Sequence, residues 1–209
     1  MMAKTRKTRE ERIQEILAGA QKSFLEKGYP LTTMEDIIAH TELSKGGVYH
    51  YYADKKQILI DMMRQGNIFY MQYNKHMLQI EPKNTDEENI ALVTEAILDK
   101  FIYQTDEKRI YTMFLCEMLY DQEIWEVFLT LERQFFEWLT SRVEVDLDIC
   151  IDELKFISRM MNGMMMAQNT SREPKVLETN RQQLRTIFEP LVRKIVMKPS
   201  NVNIVKEDI

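Results

Sequence analysis

Residues 33–55 read TMEDIIAHTELSKGGVYHYYADK, and their spacing decides the fold. Thr33 is placed to cap a helix, with Asp36 three positions on to complete a capping-box-like pair. Ile37 and Ile38 supply that helix with an apolar face. Ser44 restarts the chain as a second N-cap, and Val48 and Tyr52 at i and i+4 give the second helix its inward side. Lys45, Gly46, Tyr49 and His50 are left near the outward side. Asp54 then caps a third helix, whose Ile58, Leu59, Met62 and Met63 recur at helical spacing. Short helix, tight turn, short helix and fresh start is the order of a helix-turn-helix, whose second helix lies in the DNA major groove.

Gly46 and Gly47 sharpen that expectation. Each glycine inside a helix costs roughly 1 kcal/mol relative to alanine, so a close approach to DNA is a candidate compensation. The block from Ser44 to Tyr52, followed by Asp54-Lys55 and Ile58-Leu59, resembles the signature of the tetracycline-repressor (TetR/AcrR) family. Upstream, Ile16-Leu17, Ala20, Phe24, Lys27-Gly28-Tyr29 and Thr32-Thr33 are similar to that family's first helix and the approach to its second. The resemblance covers roughly residues 9–63. For the rest it implies an all-helical ligand-binding and dimerisation domain. Before Ser44 the chain departs from the pattern, with Thr41 and Glu42 where a small residue and a glycine are usual. A left-handed Glu42 would cost on the order of 1 kcal/mol.

The 209 residues carry a net charge of −5, unevenly distributed. Residues 1–60 hold 10 Lys/Arg against 8 Asp/Glu, and residues 61–209 hold 18 against 25. Lys4, Arg6, Lys7, Arg9 and Arg12 make a basic arm suited to phosphates or the minor groove. With 6 Gly, 5 Pro and 15 Met, long helices are favoured over a sandwich or barrel. No run approaches the roughly 18 apolar residues of a membrane span, and the first residues have no apolar secretory core. The expected location is the cytoplasm.

The fold class is all-α, with about nine helices. Residues 1–53 form the DNA-binding head, residues 54–198 the body and residues 199–209 a disordered tail. A helix from Asp54 to about Met77 bridges the two. Further helices are expected near 86–104, 107–120, 122–145, 148–170 and 174–197, with Pro174 in a first turn. The last two are dimer candidates, through Leu154, Ile157, Met161 and Met164 on one and Leu184, Phe188, Leu191 and Ile195 on the other. Met113, Cys116, Glu117 and Tyr120, with Trp125, Phe128, Met165 and Asn169, are candidate walls of an effector pocket suited to an apolar or aromatic ligand.

At the DNA, Lys45 suits guanine O6 and N7, and Tyr49 a thymine methyl or the backbone. Gly46 and Gly47 would let the helix approach the base edges. Thr32, Thr33, Ser44, His50, Tyr51 and Lys55 are candidates for phosphates. The family resemblance implies contacts at Tyr49, Tyr51 and Lys55 in particular. Other chemistry finds little footing. His40, His50 and His76 form no metal-ligand spacing with Cys116 or Cys150, and no nucleophile motif or phosphate-binding glycine loop appears. Neither an enzyme nor a cofactor is expected. The alternative reading is a helical interaction protein whose body docks a protein partner and whose head is idle.

Overall fold

The computed structural model describes residues 7–173 and 175–197. Four helices organise the N-terminal third. Helix α1 (Arg9–Lys27) opens on a capping box between Thr8 and Glu11 and stops at Gly28, whose φ of 78° few other residues adopt. Its buried face is Ile16, Leu17, Ala20 and Phe24. Helix α2 (Met34–Ala39) begins at the Thr33–Asp36 capping box. In α3 (Lys45–Tyr49), Ser44 accepts the Gly47 N–H. In α4 (Lys55–Tyr73), Asp54 accepts the Gln57 N–H. All three caps fall where the sequence places them.

The turn before α3 departs from expectation. Glu42 is not left-handed: among the described residues outside glycine, only Glu144 has a positive φ. Ion pairing fixes Glu42 instead. Its carboxylate accepts from Lys7 Nζ at 3.2 Å, and its N–H donates to Glu15 Oε1 at 2.5 Å. Lys7 and Arg12 also bind Glu15, both at 2.9 Å. Part of the expected basic arm is therefore neutralised against the turn, while Lys4 and Arg6 lie outside the described residues.

The body follows as α5 (Asp86–Ile102), α6 (Asp106–Glu117), α7 (Gln122–Val143), α8 (Leu147–Thr170), α9 (Lys175–Thr179) and α10 (Arg181–Val196). No strand occurs among the described residues, so the class is all-α. Ten α-helices are described where about nine were expected, because the stretch expected at 174–197 breaks at Asn180. That residue has φ −100° and ψ 23°, and its side-chain amide donates back to Val176 O at 2.8 Å. Helix α4 also ends earlier than expected. The Asn74 side chain accepts the Met77 N–H at 2.9 Å, and residues Met77–Gln79 form a 3-10 turn. Pro174 and the tail from 199 lie outside the described residues.

Two apolar clusters carry the packing. One joins α5, α8 and α10, with Phe101 and Phe188 fully buried and their ring centroids 5.4 Å apart. Arg181 and Arg185 on α10 reinforce it by pairing with Glu95 and Asp99 on α5. The other cluster holds the head together and continues into the body. It runs from Ile16, Phe24, Val48 and Ile58 to Ile110, Phe114, Ile124 and Phe128 on α6 and α7. Lys56 pairs across this junction with Asp121 at 3.1 Å and Glu123 at 2.6 Å. The head thus sits on α6 and α7 through shared apolar contact as well as through α4.

Candidate DNA interface and ligand cavity

The outer face of the head is built around α3. Ser44, Lys45, Gly46, Tyr49 and His50 are exposed there, beside Thr33 at the start of α2. Val48 is completely buried and anchors the helix from below. Lys45 Nζ donates to Glu35 Oε1 at 2.8 Å and lies 5.8 Å from the Tyr49 ring centroid. Both members of that ion pair are largely solvent-exposed, so it holds Lys45 only weakly. Tyr51 is half-buried, its ring edge-on to His50 at 5.2 Å. The two glycines differ in surroundings. A methyl group on Gly47 would lie 3.2 Å from Leu43 Cδ2, whereas one on Gly46 would meet nothing within 4 Å. Gly47 is explained by packing inside the turn, and Gly46 by nothing within the described residues.

Two residues assigned to phosphates from the sequence are occupied elsewhere. Thr32 is 2% exposed, and its hydroxyl donates to Gly28 O at 2.8 Å and Ser23 O at 3.2 Å. It satisfies the carbonyl of Gly28, just past the end of α1. Lys55 Nζ donates to Tyr29 O, Pro30 O and Thr32 O at 2.8, 3.0 and 2.7 Å. An ammonium has three protons, and all three are used. The Tyr29 ring centroid lies 4.7 Å from the same nitrogen, and partial burial pulls the pKa of Lys55 down. Lys55 fastens the α1–α2 turn to α4 and does not reach outward.

Beneath the head, α1, α4, α5, α6, α7, α8 and α10 enclose a cavity of about 730 Å³. Its wall is mostly apolar, including Leu17, Met62, Ile97, Phe135, Leu139 and Val196. Of the residues expected to line it, Phe128 and Met165 do so, but Met113, Cys116, Glu117, Tyr120, Trp125 and Asn169 do not. On α6 the lining residues are Glu107, Lys108, Ile110, Tyr111 and Phe114. The expected stripe of 113, 116, 117 and 120 has the same period but sits about a third of a turn round the helix. Met113 and Trp125 instead pack against the head core, and Tyr120 is 86% exposed. Cys116 is half-buried and unbridged. Glu117 is half-buried on the head side, where burial raises its carboxyl above the usual range. Asn169 donates to Thr112 Oγ1 at 2.9 Å and ties α8 to α6.

Four charged residues line the cavity, in unequal circumstances. Glu132 is 9% exposed and is held by Ser158 Oγ at 2.6 Å and by Arg159 at 2.5 and 3.3 Å. Lys108 Nζ donates to Asp99 O and Tyr103 O, at 2.7 and 2.9 Å. Glu107 is exposed. Lys100 alone among the four is set between aromatic rings, 5.0 Å from the Phe135 centroid, 5.2 Å from Tyr70 and 5.9 Å from Tyr111. Burial draws the ammonium groups of Lys100 and Lys108 down to about 8. The sequence held a signal for Lys100 that was missed. It continues the Val93–Ile97 stripe at i+7 and i+3, so a lysine there points inward.

Residues 16–62 match the model of the bacterial regulatory proteins of the tetR family. Over those residues the chain carries the head of that family. Among curated proteins, the tetR-type head is similar to the uncharacterized regulator YfiR of Bacillus subtilis, with 34% identity over 62 residues, 30% of each chain. It is also similar to the transcriptional repressor AcnR of Corynebacterium efficiens, with 35% identity over 52 residues, 25% of this chain and 28% of that one. The chain spans only about 30% of the length of the curated relatives named here. The whole fold is similar to that of Salmonella enterica GusR, with a TM-score of 0.65 at 15% identity, covering 90% of this chain and 98% of that chain. The matched head is that of bacterial regulatory proteins, and the two curated relatives named here are a transcriptional regulator and a transcriptional repressor. Among the described residues, no helix is long and apolar enough to cross a membrane.

The helices expected to pair two copies of this chain need a correction. Leu154, Ile157, Met161, Leu184, Phe188 and Ile195 are all buried within one chain. Leu154, Ile157, Met161 and Ile195 line the cavity, and Leu184 and Phe188 pack in the body core. Met164 and Leu191 are half-buried. The stripe read from periodicity is the inward face. The outward apolar residues are Ile149, Phe156 and Ile187, at 63%, 56% and 46% exposure, with Met160 half-buried near them in sequence.

Proposed function

We propose that this chain is a homodimeric transcriptional repressor, released from a pseudo-palindromic operator when a small apolar or aromatic effector enters the body cavity. The observation that carries this reading is the placement of α4. Its first turns, with Ile58 and Leu59, belong to the head core. Its later turns, with Met62, Gly66 and Tyr70, form cavity wall. Gln14 on α1 also lines the cavity and donates to Gln65 Oε1 on α4 at 2.8 Å. A ligand that alters the lie of α4 therefore moves a helix that the head cannot ignore. Release requires only that the ligand bind the DNA-incompetent arrangement more tightly.

One head reads a few base pairs, so two heads at fixed spacing are needed to define an operator. We assign the pairing surface to the outward side of α8 and α10, around Phe156, Met160, Met164, Ile187 and Leu191. Lys45, Gly46, Gly47 and Tyr49 then face base edges, and Thr33, Ser44, His50 and Tyr51 face phosphates. The residues 1–53 remain the DNA-reading unit in this proposal and 54–198 the sensing unit, working in the cytoplasm. A gel shift on DNA flanking the gene for this chain tests the reading. Binding at nanomolar protein, with a salt-dependent and sequence-dependent affinity, is the expected result. Absence of any sequence preference would sink it in favour of a protein-docking role.

A further inference from the structure

Resting on the reading of the cavity as an effector site, the geometry points to an anionic effector: an organic carboxylate with an aliphatic body, its head group held by Lys100. The inference starts from an imbalance. A cation within an apolar wall needs a partner. Glu132 favours the charged form of Lys100, but its own oxygens are engaged by Arg159 and Ser158. Lys108 spends two of its three protons on Asp99 O and Tyr103 O, which hold it at the carbonyl end of α5. Among the described residues Lys100 Nζ has no hydrogen-bond acceptor, only the faces of Tyr70, Tyr111 and Phe135. Those rings tolerate an ammonium without satisfying its three donors.

A second group shares the site. Asn162 is 8% exposed and lines the cavity, and its Oδ1 accepts from the Tyr111 hydroxyl at 3.3 Å. Its amide nitrogen has no partner among the described residues. Tyr111 therefore lies next to both an ammonium and an amide donor that each lack an acceptor. A carboxylate supplies acceptors for both, with an ionised oxygen for Lys100. Away from Ser158 and Asn162, α8 and α10 give the cavity an aliphatic wall, with Leu154, Ile157, Val192 and Val196, that suits a hydrocarbon body. The volume falls in the range of about 300–1,000 Å³ usual for small-molecule sites.

The test uses three probes with one tail: dodecanoate, dodecanol and dodecylamine, titrated by calorimetry at pH 7 into the full chain and into Lys100→Met. Dodecanoate is expected to bind the native chain at least about tenfold more tightly than dodecanol, as for a hydrogen bond to a charged group. Lys100→Met should erase that preference while dodecanol affinity stays within about twofold, which also shows that the cavity is intact. Equal affinity for acid and alcohol in the native chain would overturn the carboxylate assignment and leave the cavity reading standing. A preference retained in Lys100→Met would overturn the placement of the head group at Lys100. Tighter binding of the amine would move the anchor to Glu132 and overturn it equally. Failure of all three probes to bind would overturn the effector-site reading itself, and this inference with it.

Discussion

Three lysines contrast the head's outer face with the interior of the molecule. Lys45 stands in solvent, with Glu35 and the ring of Tyr49 for company. Lys55 has three carbonyl acceptors and a ring, and is half-buried. Lys100 has three rings and no acceptor among the described residues. The same side chain is thus available at the surface, spent between the α1–α2 turn and α4, and unsatisfied in the cavity. Availability follows from what surrounds the ammonium, not from proximity in sequence to the helix-turn-helix. Lys55 is the sharper lesson, because family resemblance places it at the DNA and its hydrogen bonds place it inside the head.

Lys55→Met tests that lesson most strongly. Leaving three carbonyls without their donor should destabilise the head by about 2–3 kcal/mol, read as a lower midpoint in urea denaturation. DNA affinity should fall only as far as unfolding explains. Unchanged stability together with a salt slope reduced by about 1 would restore Lys55 to the phosphate contacts.

Lys45→Ala should do the reverse. Its ion pair with Glu35 is exposed, so stability should hardly move. Specific DNA binding should weaken by about 1–3 kcal/mol and selectivity should relax at one base position. An equal loss on every sequence would make Lys45 a phosphate contact instead.

The pH dependence of stability probes the interior side of the contrast. Lys100 and Lys108 titrate near 8 in the folded chain, below the ordinary value of 10.5. Between those values the unfolded chain binds more protons, so stability rises with pH. The gain should be on the order of 1 kcal/mol between pH 8 and pH 9.5, measured by urea denaturation in matched ionic strength. Above pH 10 the buried Tyr70 and Tyr111, whose hydroxyls are pushed up by burial, work in the opposite direction. A flat profile from pH 8 to 9.5 would mean that both lysines are better solvated than their surroundings imply. A bound carboxylate should flatten the profile by holding the proton on Lys100.

The head was readable because its signals are local. Caps at Thr33, Ser44 and Asp54 need only residues three positions away. The body was readable as helices but not as surfaces. Helical period identifies a stripe, yet the same stripe fits an inward or an outward face. That is why Leu154, Ile157 and Phe188 were assigned to a dimer surface and are buried in one chain. It is also why the α6 stripe at 113, 116 and 117 missed the cavity by part of a turn. Lys55 and Glu42 went astray for a different reason. Their partners, Tyr29, Pro30, Thr32, Lys7 and Glu15, lie 23 to 35 residues away, beyond any local pattern.

The two glycines of α3 give the smallest and most selective test. The sequence treats Gly46 and Gly47 alike, as helix positions that cost stability for the sake of DNA. Gly47 has an internal reason, since a methyl group there would press on Leu43 Cδ2 at 3.2 Å and Ser44 Oγ at 3.4 Å. Gly46 has open space around it, so alanine should fit and should stabilise the head by up to about 1 kcal/mol through helix propensity alone. Gly46→Ala should therefore raise the thermal midpoint slightly while weakening operator binding, because the added methyl group occupies the face turned toward the DNA. Gly47→Ala should lower the midpoint instead. Gly46→Ala with raised stability and unchanged DNA affinity would remove α3's open glycine from the contact surface. The burden of close approach would then pass to Lys45 and Tyr49, whose longer side chains can read base edges without bringing the backbone near.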